Sequence, residues 1–244
     1  MKPEAYRETY ELEETFWYFV AQKELVFQVL RSEAGGKDKN LRILDAGCGT
    51  GGLTRGLERF GTTVGVDVSD EAIRYSRSRG LQHLLKGSVT RLPFREFSFD
   101  IVTSMDVLYH RKVEDDRESL REFHRILKRG GLLILNLPAF PFLKSSHDEA
   151  VETRKRYTRG EVERLLVDTG FHIRKATYRH TLLFPFVTVV RLLKRGFPSE
   201  GSDLRPLPLW ANGLLIRILR FETRILKICN LPFGSSVFCI AWKG

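Results

Sequence analysis

Short apolar runs of strand length alternate along the chain with segments whose apolar residues recur every three or four positions. Five such runs lie between residues 41 and 137: LRILDAG, TTVGVDV, LQHLLKG, FDIVTSM and GLLILNL. Their nearly continuous hydrophobicity is typical of strands that are buried on both faces. Because strands that alternate with helices favour parallel pairing through crossover connections, the pattern predicts an α/β fold with a doubly wound sheet.

Spacing and end signals mark the helices between these strands. Helical spacing recurs in two groups: Leu53, Leu57 and Phe60 after the first strand, and Leu120, Phe123 and Leu127 before the fifth. Ser69 is a predicted N-cap for DEAIRYSRSRG, and Gly130 follows the LKR that ends a helix predicted over residues 115–128. Thr158 and Glu161 form a predicted capping box for a later helix. These helices supply the crossovers that a parallel sheet needs.

The last quarter of the chain departs from this alternation. FHIRKATYRHT is predicted as a sixth strand and SSVFCIAW as the seventh, whereas residues 183–233 between them contain two helical patterns. We interpret residues 183–233 as a helical insertion. Its second helix is amphipathic, with an apolar stripe made of Leu214, Ile218, Phe221, Ile225 and Ile228. A separate basic stripe consists of Arg217, Arg220, Arg224 and Lys227.

Composition narrows the class of protein. The chain has 244 residues, of which 42% are hydrophobic and 29% charged, and this balance excludes a disordered or fibrous protein. Cys48, Cys229 and Cys239 are far apart, so neither a disulfide framework nor a metal cluster is predicted. The first residues are polar and acidic, and no apolar run reaches the roughly 18 residues that span a bilayer. We therefore expect a cytoplasmic protein.

The net charge of +10 is unevenly spread along the chain. Residues 183–244 hold nine Lys and Arg against three Asp and Glu. Such an excess favours nucleic acid, anionic lipid or phosphorylated substrates, and it also serves solubility. Two interpretations of the basic helix stay open. It contacts an anionic membrane surface, or its apolar stripe packs on the protein while its basic stripe is solvated.

The most informative segment is LDAGCGTGG, which ends the first strand and opens a helix. Glycines there allow a sharp turn and a close approach to a ligand, to which a helix N-terminus offers N–H donors. Gly47, Gly49 and Gly52 satisfy GxGxxG, which alone is a weak indication of a nicotinamide dinucleotide. Asp45 argues against a dinucleotide, because its carboxylate would face the pyrophosphate, but it suits an ammonium group. Asp67 ends the next strand, where this fold places an acceptor for ribose hydroxyls.

These residues resemble the class I S-adenosylmethionine-dependent methyltransferases. The resemblance runs in order from residue 41 to residue 138 through LDAGCGTGG, GVDVS, GSVTRLPF, FDIVTSMDVLYH and RILKRGGLLILNLP. It implies a Rossmann-like doubly wound sheet of seven strands, the last antiparallel, and S-adenosylmethionine as cofactor. Within one domain over 1–244, the predicted parts are an N-terminal helical cap at 1–35, a core at 36–182 and 234–244, and a helical lid inserted between strands six and seven at 183–233.

The resemblance also implies which residues meet the cofactor. Asp45 would lie near its methionine amino group, Asp67 would hold the ribose, and Ser88 and Val89 would border the adenine. The whole set implied by position is Asp45, Gly47, Cys48, Gly49, Asp67, Val68, Ser88, Val89 and Met105. Many relatives have Asp at the position of Ser88, where it binds the adenine amine. A serine hydroxyl can still accept a hydrogen bond there.

The acceptor site is expected outside the carboxyl ends of the strands, where open α/β sheets bind ligands. Since a histidine titrates near neutrality, His147 and His110 are candidate general bases, and Tyr109 is a third candidate catalytic residue. The predicted substrate-binding residues are Trp17, Asp148, Arg154, Arg156 and Tyr157. In the family the last strand runs antiparallel to its neighbours, so the insertion at 183–233 is expected at the same edge.

The chain is therefore predicted to transfer a methyl group from S-adenosylmethionine to a small molecule, with an apolar or lipid-linked acceptor preferred. A sulfonium methyl is already activated, so alignment and exclusion of water supply much of the catalysis. An RNA methyltransferase is an alternative prompted by the basic charge. Nucleic acid is not expected, however, because SMDV stands where base-methylating enzymes have an NPPY-like tetrapeptide. A non-catalytic cofactor-binding protein is the other alternative, and oligomeric state is not predicted.

Overall fold

A computed structural model describes residues 3–33, 40–194 and 206–244, apart from the side chains of residues 146, 147 and 192–194. Seven strands form one sheet. They are β1 (Leu41–Ala46), β2 (Gly61–Asp67), β3 (Leu84–Lys86), β4 (Phe99–Met105), β5 (Leu127–Pro138), β6 (Phe171–Arg179) and β7 (Ser236–Lys243). Their spatial order is β3-β2-β1-β4-β5-β7-β6.

Strands β1 to β5 pair in parallel, and β7 lies antiparallel between β5 and β6. The sheet begins in its middle with β1 and grows outward in both directions, which leaves a crevice where the strand order reverses beside β1 and β4. The predicted doubly wound sheet of seven strands with an antiparallel last strand is thereby confirmed.

Nine α-helices lie within the described ranges. They are α1 (Pro3–Leu12), α2 (Trp17–Glu33), α3 (Gly52–Leu57), α4 (Asp70–Ser78), α5 (Asp116–Ile126), α6 (Ser146–Ala150), α7 (Arg159–Asp168), α8 (Phe184–Lys194) and α9 (Leu209–Ile228). A short 3₁₀ turn at Pro141–Leu143 follows β5. Helices α8 and α9 fall in the segment predicted as an insertion, between β6 and β7.

The core forms two layers because successive strand residues point to opposite faces of the sheet. Leu44, Val102 and Leu133 belong to one layer, together with residues of α5 and α7. The neighbouring residues Ile43 and Ile101 belong to the other, which α2, α3 and α9 cover. The central strands are therefore buried on both faces, which is why their sequences show no alternation.

The end of α5 differs from the prediction. The helix ends at Ile126, whereas Leu127 starts β5 and pairs with Phe99 across a register shift. Gly130 has a φ of 70° inside the irregular start of the strand, and it does not cap the helix. Leu127 is fully buried, so its hydrophobicity fits the helical stripe and the strand equally well.

Two predicted helix starts occur where the sequence places them. Thr158 and Glu161 form the reciprocal capping box of α7, in which each side chain accepts the backbone N–H of the other residue. Ser69 is the N-cap residue of α4, but its side chain makes no capping hydrogen bond. The N–H of Ser69 instead donates to Asp67 Oδ1 at 2.9 Å. This turn therefore orients the carboxylate of Asp67.

Helix α9 packs on the protein through a different face from the predicted one. Its buried residues are Leu219, Glu222 and Leu226. Leu214, Phe221 and Ile228 of the predicted apolar stripe are instead 50%, 56% and 90% exposed. Ile218 and Ile225 of the same stripe are half-buried, and Ile218 packs against the protein, so the interpretation in which that stripe packs holds only in part.

A buried carboxylate explains this orientation of α9. Glu222 accepts the backbone N–H groups of His180 at 2.5 Å and of Leu182 at 3.0 Å, just after β6. Burial raises the pKa of Glu222 above its ordinary value, which these hydrogen bonds oppose. A prediction from hydrophobic periodicity places glutamates in solvent. It therefore could not predict that the buried face of α9 contains Glu222.

Candidate active site

A cavity of about 610 Å³ opens at the carboxyl ends of β1, β2 and β4. Helices α1 and α2 border it on one side, and α8 and α9 contribute its far wall. All nine residues predicted to meet the cofactor line it: Asp45, Gly47, Cys48, Gly49, Asp67, Val68, Ser88, Val89 and Met105. The structure thus brings the whole predicted set to one cavity at the edge where α/β sheets bind ligands.

The glycine-rich turn needs its glycines for two different reasons. Gly47 has a φ of 85°, and a Cβ there would meet Val107 at 2.2 Å, so both backbone and packing exclude a side chain. Gly49 has a φ of 53°, but a Cβ there would meet nothing within 4 Å. The turn thus presents bare backbone to the cavity at Gly49.

Two carboxylates stand at the ends of neighbouring strands. Asp67 accepts N–H groups of Gly49 at 3.0 Å and of Ser69 at 2.9 Å. Asp45 is 2% exposed and accepts the hydroxyls of Thr54 at 2.7 Å and Thr103 at 2.8 Å. These contacts fix the orientation of each carboxylate and leave some of its lone-pair positions for a ligand.

Burial sets the electrostatics of this pair. It raises the pKa of Asp45 to about 6, against the opposing hydrogen bonds from Thr54 and Thr103. It also raises the pKa of Asp67, which backbone N–H donors oppose. Near pH 7.5 Asp45 is ionised, and the oxygens of both side chains are suited to a cationic or hydroxyl-bearing ligand.

Glu13 is a residue of this region that the sequence analysis missed. It lies just beyond α1, and its buried carboxylate accepts the hydroxyl of Thr50 and the N–H of Gly52 at the start of α3. Arg79 pairs with it at 3.2 Å and also donates to the carbonyl of Thr50. Only the acidic character of the first residues could have suggested that the N-terminal segment is tied to the glycine-rich turn.

Asp106 follows β4 and holds α2 against the sheet. With a φ of 59°, it accepts the Tyr18 hydroxyl at 2.7 Å and the side-chain amides of Gln22 at 2.8 Å and Asn136 at 2.9 Å. Burial raises its pKa, and these three donors oppose the rise. Asp106 lines the cavity, so the N-terminal helices are tied to the floor of the site.

The predicted general bases are placed differently from one another. His110 lines the cavity, but Nδ1 accepts the N–H of Lys112 at 3.1 Å and Nε2 lies 3.3 Å from Glu152. Burial lowers the pKa of His110 to about 4. Tyr109 also lines the cavity, and burial raises its pKa. The side chain of His147 lies outside the described residues.

The predicted substrate-binding residues separate into two groups. Trp17, Asp148 and Arg156 line the cavity. Asp148 and Arg156 form a buried pair, with Nε to Oδ1 at 2.7 Å and Nη2 to Oδ2 at 3.0 Å. Because each satisfies the other, this pair shapes the wall and offers few groups to a substrate.

The other two predicted substrate-binding residues, Arg154 and Tyr157, do not line the cavity. Arg154 pairs with the buried Asp116 and donates to the carbonyl of Leu108. Tyr157 is fully buried, and its hydroxyl donates to the same carbonyl at 3.1 Å. Both hold the loop after β4 against the core. For Tyr157, the position next to the cavity-lining Arg156 could not reveal this, because side chains of adjacent residues in extended backbone point in opposite directions.

The far wall consists mostly of apolar side chains from the segments predicted as the helical insertion and the N-terminal cap. They are Phe186, Val187 and Val190 of α8, Leu215 of α9, Leu207 before it, and Phe16 before α2. Trp17 donates its backbone N–H to Asn212 Oδ1 at 2.9 Å, which joins α2 to α9. The insertion therefore contributes the apolar half of the cavity.

His180 also lines the cavity and was not predicted. It has a φ of 60° and is 1% exposed, and its ring centroid lies 6.1 Å from that of Trp17 and 5.3 Å from that of Tyr18. Nδ1 contacts Ser235 Oγ at 3.2 Å, whereas Nε2 has no hydrogen-bond partner within the described part of the chain. Burial and the charge of Arg179 lower its pKa well below the ordinary value, so the imidazole is neutral.

Metal ligands are not gathered in this region. Within residues 3–33, 40–194 and 206–244, no three His, Cys, Asp or Glu side chains are grouped so as to hold a metal ion.

In comparisons with known proteins, the family match falls on the part of the chain that carries the glycine-rich turn. Residues 44–135, which carry the glycine-rich turn and β1 to β5, match the family described as a methyltransferase domain. A putative methyltransferase of Encephalitozoon cuniculi is 37% identical over 94 residues, which cover 38% of this chain and 43% of that protein. The ubiquinone/menaquinone biosynthesis C-methyltransferase of Proteus mirabilis is 34% identical over 42% of this chain and 45% of its own length.

The chain therefore matches less than half of the length of these two curated relatives. Among solved structures, an S-adenosylmethionine-dependent methyltransferase of Thermotoga maritima, described as a possible histamine N-methyltransferase, superposes with a TM-score of 0.61. The superposition covers 99% of this chain and 96% of that protein at 19% identity. The fold is thus shared over almost the whole length, whereas the family match is confined to residues 44–135.

Proposed function

Since the chain belongs to the class I S-adenosylmethionine-dependent methyltransferases, we propose that it transfers the methyl group of S-adenosylmethionine to a small apolar acceptor. One observation carries this proposal. A single cavity joins the glycine-rich turn and its two carboxylates to apolar side chains of α8 and α9. A cofactor site and an apolar acceptor site that share one enclosed space are what methyl transfer to such an acceptor requires.

The residues at the strand ends fit the cofactor. S-adenosylmethionine carries an ammonium group and two ribose hydroxyls, and the buried carboxylates of Asp45 and Asp67 are suitable partners for them. The open backbone at Gly49 leaves room for a close approach. Ser88 and Val89 would border the adenine, and Met105 would lie beside the reacting end of the cavity. The Ser88 hydroxyl contacts Thr90 Oγ1 at 2.8 Å, which fixes its direction.

When bound, the cofactor supplies a methyl group that is already activated on a sulfonium. The protein then has to align the acceptor and exclude water. We propose that α1 and α2 act as a cap and that α8 and α9 act as a lid, in line with the predicted division of the chain. Phe16, Trp17 and Val187 would form the dry walls around the acceptor.

A hydroxyl or carbon acceptor also needs a place for its proton. We place His180 ahead of His110 as the hydrogen-bonding partner of the acceptor. His110 is held between Lys112 and Glu152, whereas the neutral ring of His180 keeps Nε2 without a partner in the described residues. In the tautomer with its proton on Nδ1, the uncharged imidazole can accept a hydrogen bond at Nε2 and orient the acceptor, whereas its lowered pKa makes it a weak proton acceptor.

The apolar wall supports a small apolar acceptor over a nucleic acid. A base or a phosphate brought to this wall would lose its hydrogen bonds to water without replacement by Val187, Val190 or Leu215. A lipid-linked acceptor and peripheral membrane contact through residues 183–233 extend the proposal, and both stay predictions.

Calorimetric titration with S-adenosylhomocysteine tests the cofactor half, and micromolar binding is the expected result. Incubation with methyl-labelled S-adenosylmethionine and separate pools of lipid extract, aqueous metabolites and RNA tests the acceptor half. Label should enter the lipid extract and stay absent from RNA. Binding that is undetectable at millimolar ligand would overturn the cofactor assignment. Label in RNA alone, or binding without transfer to any pool, would overturn the acceptor assignment.

A further inference from the structure

Helix α9 exposes one continuous stripe that combines apolar and basic side chains. The stripe consists of Trp210, Leu214, Arg217, Phe221, Arg224 and Ile228, and we call it the docking stripe. Its members are spaced four, three, four, three and four residues apart, so they share one side of the helix. Trp210 is 75% exposed and Ile228 90% exposed. A stripe this apolar on a helix surface indicates something that covers it.

The outward orientation of the docking stripe is fixed by contacts on the opposite side of the helix. The opposite side of α9 packs well, because Leu219 and Leu226 are 2% and 3% exposed. Glu222 on that side fixes the rotation of the helix through its hydrogen bonds to the backbone after β6. The protein therefore holds α9 so that Phe221 and Leu214 face outward.

The exposed apolar surface continues from α9 onto α8. Leu183 just before α8 and Val187 within it pack in one cluster with Leu219 of α9, whereas Phe186 and Val189 of α8 are 72% and 55% exposed. Phe186 also lines the cavity, as does Leu207, which is 38% exposed before α9. The apolar surface thus begins at the mouth of the cavity.

Charge indicates what covers this surface. Arg217 and Arg224 lie within the stripe and Lys227 at its border, and all three are exposed. Glu222 is the only Asp or Glu between residues 206 and 244, and it is buried. Another copy of this chain would set these cations against one another, whereas an anionic surface would attract them.

We propose that the docking stripe, with Phe186 and Val189, seats the protein on an anionic lipid surface. A helix with aromatic and aliphatic side chains beside arginines lies in the headgroup region of a bilayer. No helix of the described residues is long and apolar enough to cross one, so the contact is peripheral. The mouth at Phe186 and Leu207 then faces the lipid, and an apolar acceptor enters the cavity from the bilayer. This last step rests on the proposed function.

Vesicle binding of the full chain tests the proposal. Vesicles of phosphatidylcholine with about one third phosphatidylglycerol should bind the protein, whereas pure phosphatidylcholine should bind it at least tenfold more weakly. Arg217→Gln and Arg224→Gln should each lower the partition coefficient about fivefold on the anionic vesicles. Phe221→Ser should lower it about tenfold. The fluorescence of Trp210 should shift to the blue on binding, and Trp210→Phe should remove most of the shift.

Matched controls lie on the other side of the sheet. Val167→Ser on α7 removes an apolar side chain that is 62% exposed, and Arg121→Gln removes an exposed cation of α5. Both should bind vesicles like the parent protein. Titration with S-adenosylhomocysteine on every variant separates the two proposals, because the docking stripe does not line the cavity.

Three results would overturn the lipid assignment. The first is equal binding to neutral and anionic vesicles. The second is loss of binding in the control variants as large as in Phe221→Ser. The third is a stable dimer in sedimentation equilibrium that Phe221→Ser dissociates, because the stripe would then belong to a second copy. Vesicle binding that persists in a protein unable to bind S-adenosylhomocysteine would refute the proposed function and leave the docking surface standing.

Discussion

The two halves of the cavity are built in different ways. The half with the glycine-rich turn comes from residues 45–89, where strand ends and backbone conformation set the positions of Asp45, Gly49 and Asp67. The far half comes from segments distant in sequence, with Trp17, His180 and Leu215 meeting across the top of the sheet. The residue positions in the half with the glycine-rich turn are therefore set by the sheet and its connections. Those in the far half are set by how the additional helices pack on the sheet.

The halves also differ in electrostatics. Asp45 and Asp67 give the first half a buried negative charge. The wall that α8 and α9 add is apolar apart from Arg191, and the neutral ring of His180, just after β6, also lines the cavity. This contrast teaches that binding of a charged cofactor and choice of acceptor depend on separate residues, so that each should respond to mutation without the other.

The largest effect is expected from Asp67→Ala. If Asp67 binds the ribose as proposed, removal of this carboxylate takes away charge-assisted hydrogen bonds, each worth about 1.5–3 kcal/mol. The dissociation constant of S-adenosylhomocysteine should rise about a hundredfold in calorimetric titration. Asp70→Asn is the control, because its carboxylate is nearby but pairs with Lys86 in solvent, and it should change the constant less than twofold. Equal losses in the two variants would contradict the assignment.

The cofactor half and the sheet could be predicted because their signals are local. Buried strands produce apolar runs, and a turn at φ of 85° that packs against Val107 requires glycine at position 47. Leu127 was assigned to the wrong element since burial suits helix and strand alike. Thr158 and Glu161 were assigned correctly since a capping box is complete within four residues.

The sequence placed residues 183–233 and Trp17 at the far half of the cavity, but the packing of that half could not be predicted because its signals are not local. The orientation of α9 depends on Glu222, whose partners His180 and Leu182 lie about 40 residues away. His180 shows nothing in its neighbouring sequence that distinguishes it from His110. Arg154 and Tyr157 have the chemistry of a binding site, but the loop turns both toward the core.

The second prediction concerns Asp45→Asn and its dependence on pH. Burial raises the folded-state pKa of Asp45 to about 6, above the value near 3.9 of an unfolded chain. Its contribution to stability is therefore complete below pH 4 and is lost as the pH rises through 6. At pH 8 the buried charge costs on the order of 2 kcal/mol. The amide should raise the free energy of unfolding at pH 8 by a similar amount.

The same substitution should weaken cofactor binding, because the amide cannot pair with an ammonium group as a carboxylate does. In the parent protein, binding of S-adenosylhomocysteine should become about tenfold weaker from pH 8 to pH 5, since protonation removes the charge of Asp45. Urea unfolding at pH 8 and pH 4.5 checks the stability part. A gain in stability that is equal at both pH values would show that the charge of Asp45 is not its cause.

The third prediction addresses the acceptor half through Leu215→Ala. Truncation of this side chain enlarges the cavity and should remove apolar contacts with the proposed acceptor. The loss in acceptor binding should be on the order of 1.4 kcal/mol. Transfer of label to the lipid extract at low acceptor concentration should fall about tenfold, and the dissociation constant of S-adenosylhomocysteine should stay within twofold. Val167→Ala on the exposed side of α7 is the control. A matching fall in cofactor affinity would mean that the two halves are coupled.

The smallest effect is expected from Arg220→Gln, which removes the ion pair between α9 and Glu24 of α2. Both partners are well exposed, at 54% and 36% of their side chains, so the pair should contribute about 0.3 kcal/mol to stability and less at high salt. Arg117→Gln, which removes the similarly exposed pair with Asp168, is the matched control, and urea unfolding measures both. A loss above about 1 kcal/mol in Arg220→Gln alone would mean that charge holds α9 in place, whereas the burial of Leu219 and Leu226 predicts that packing does.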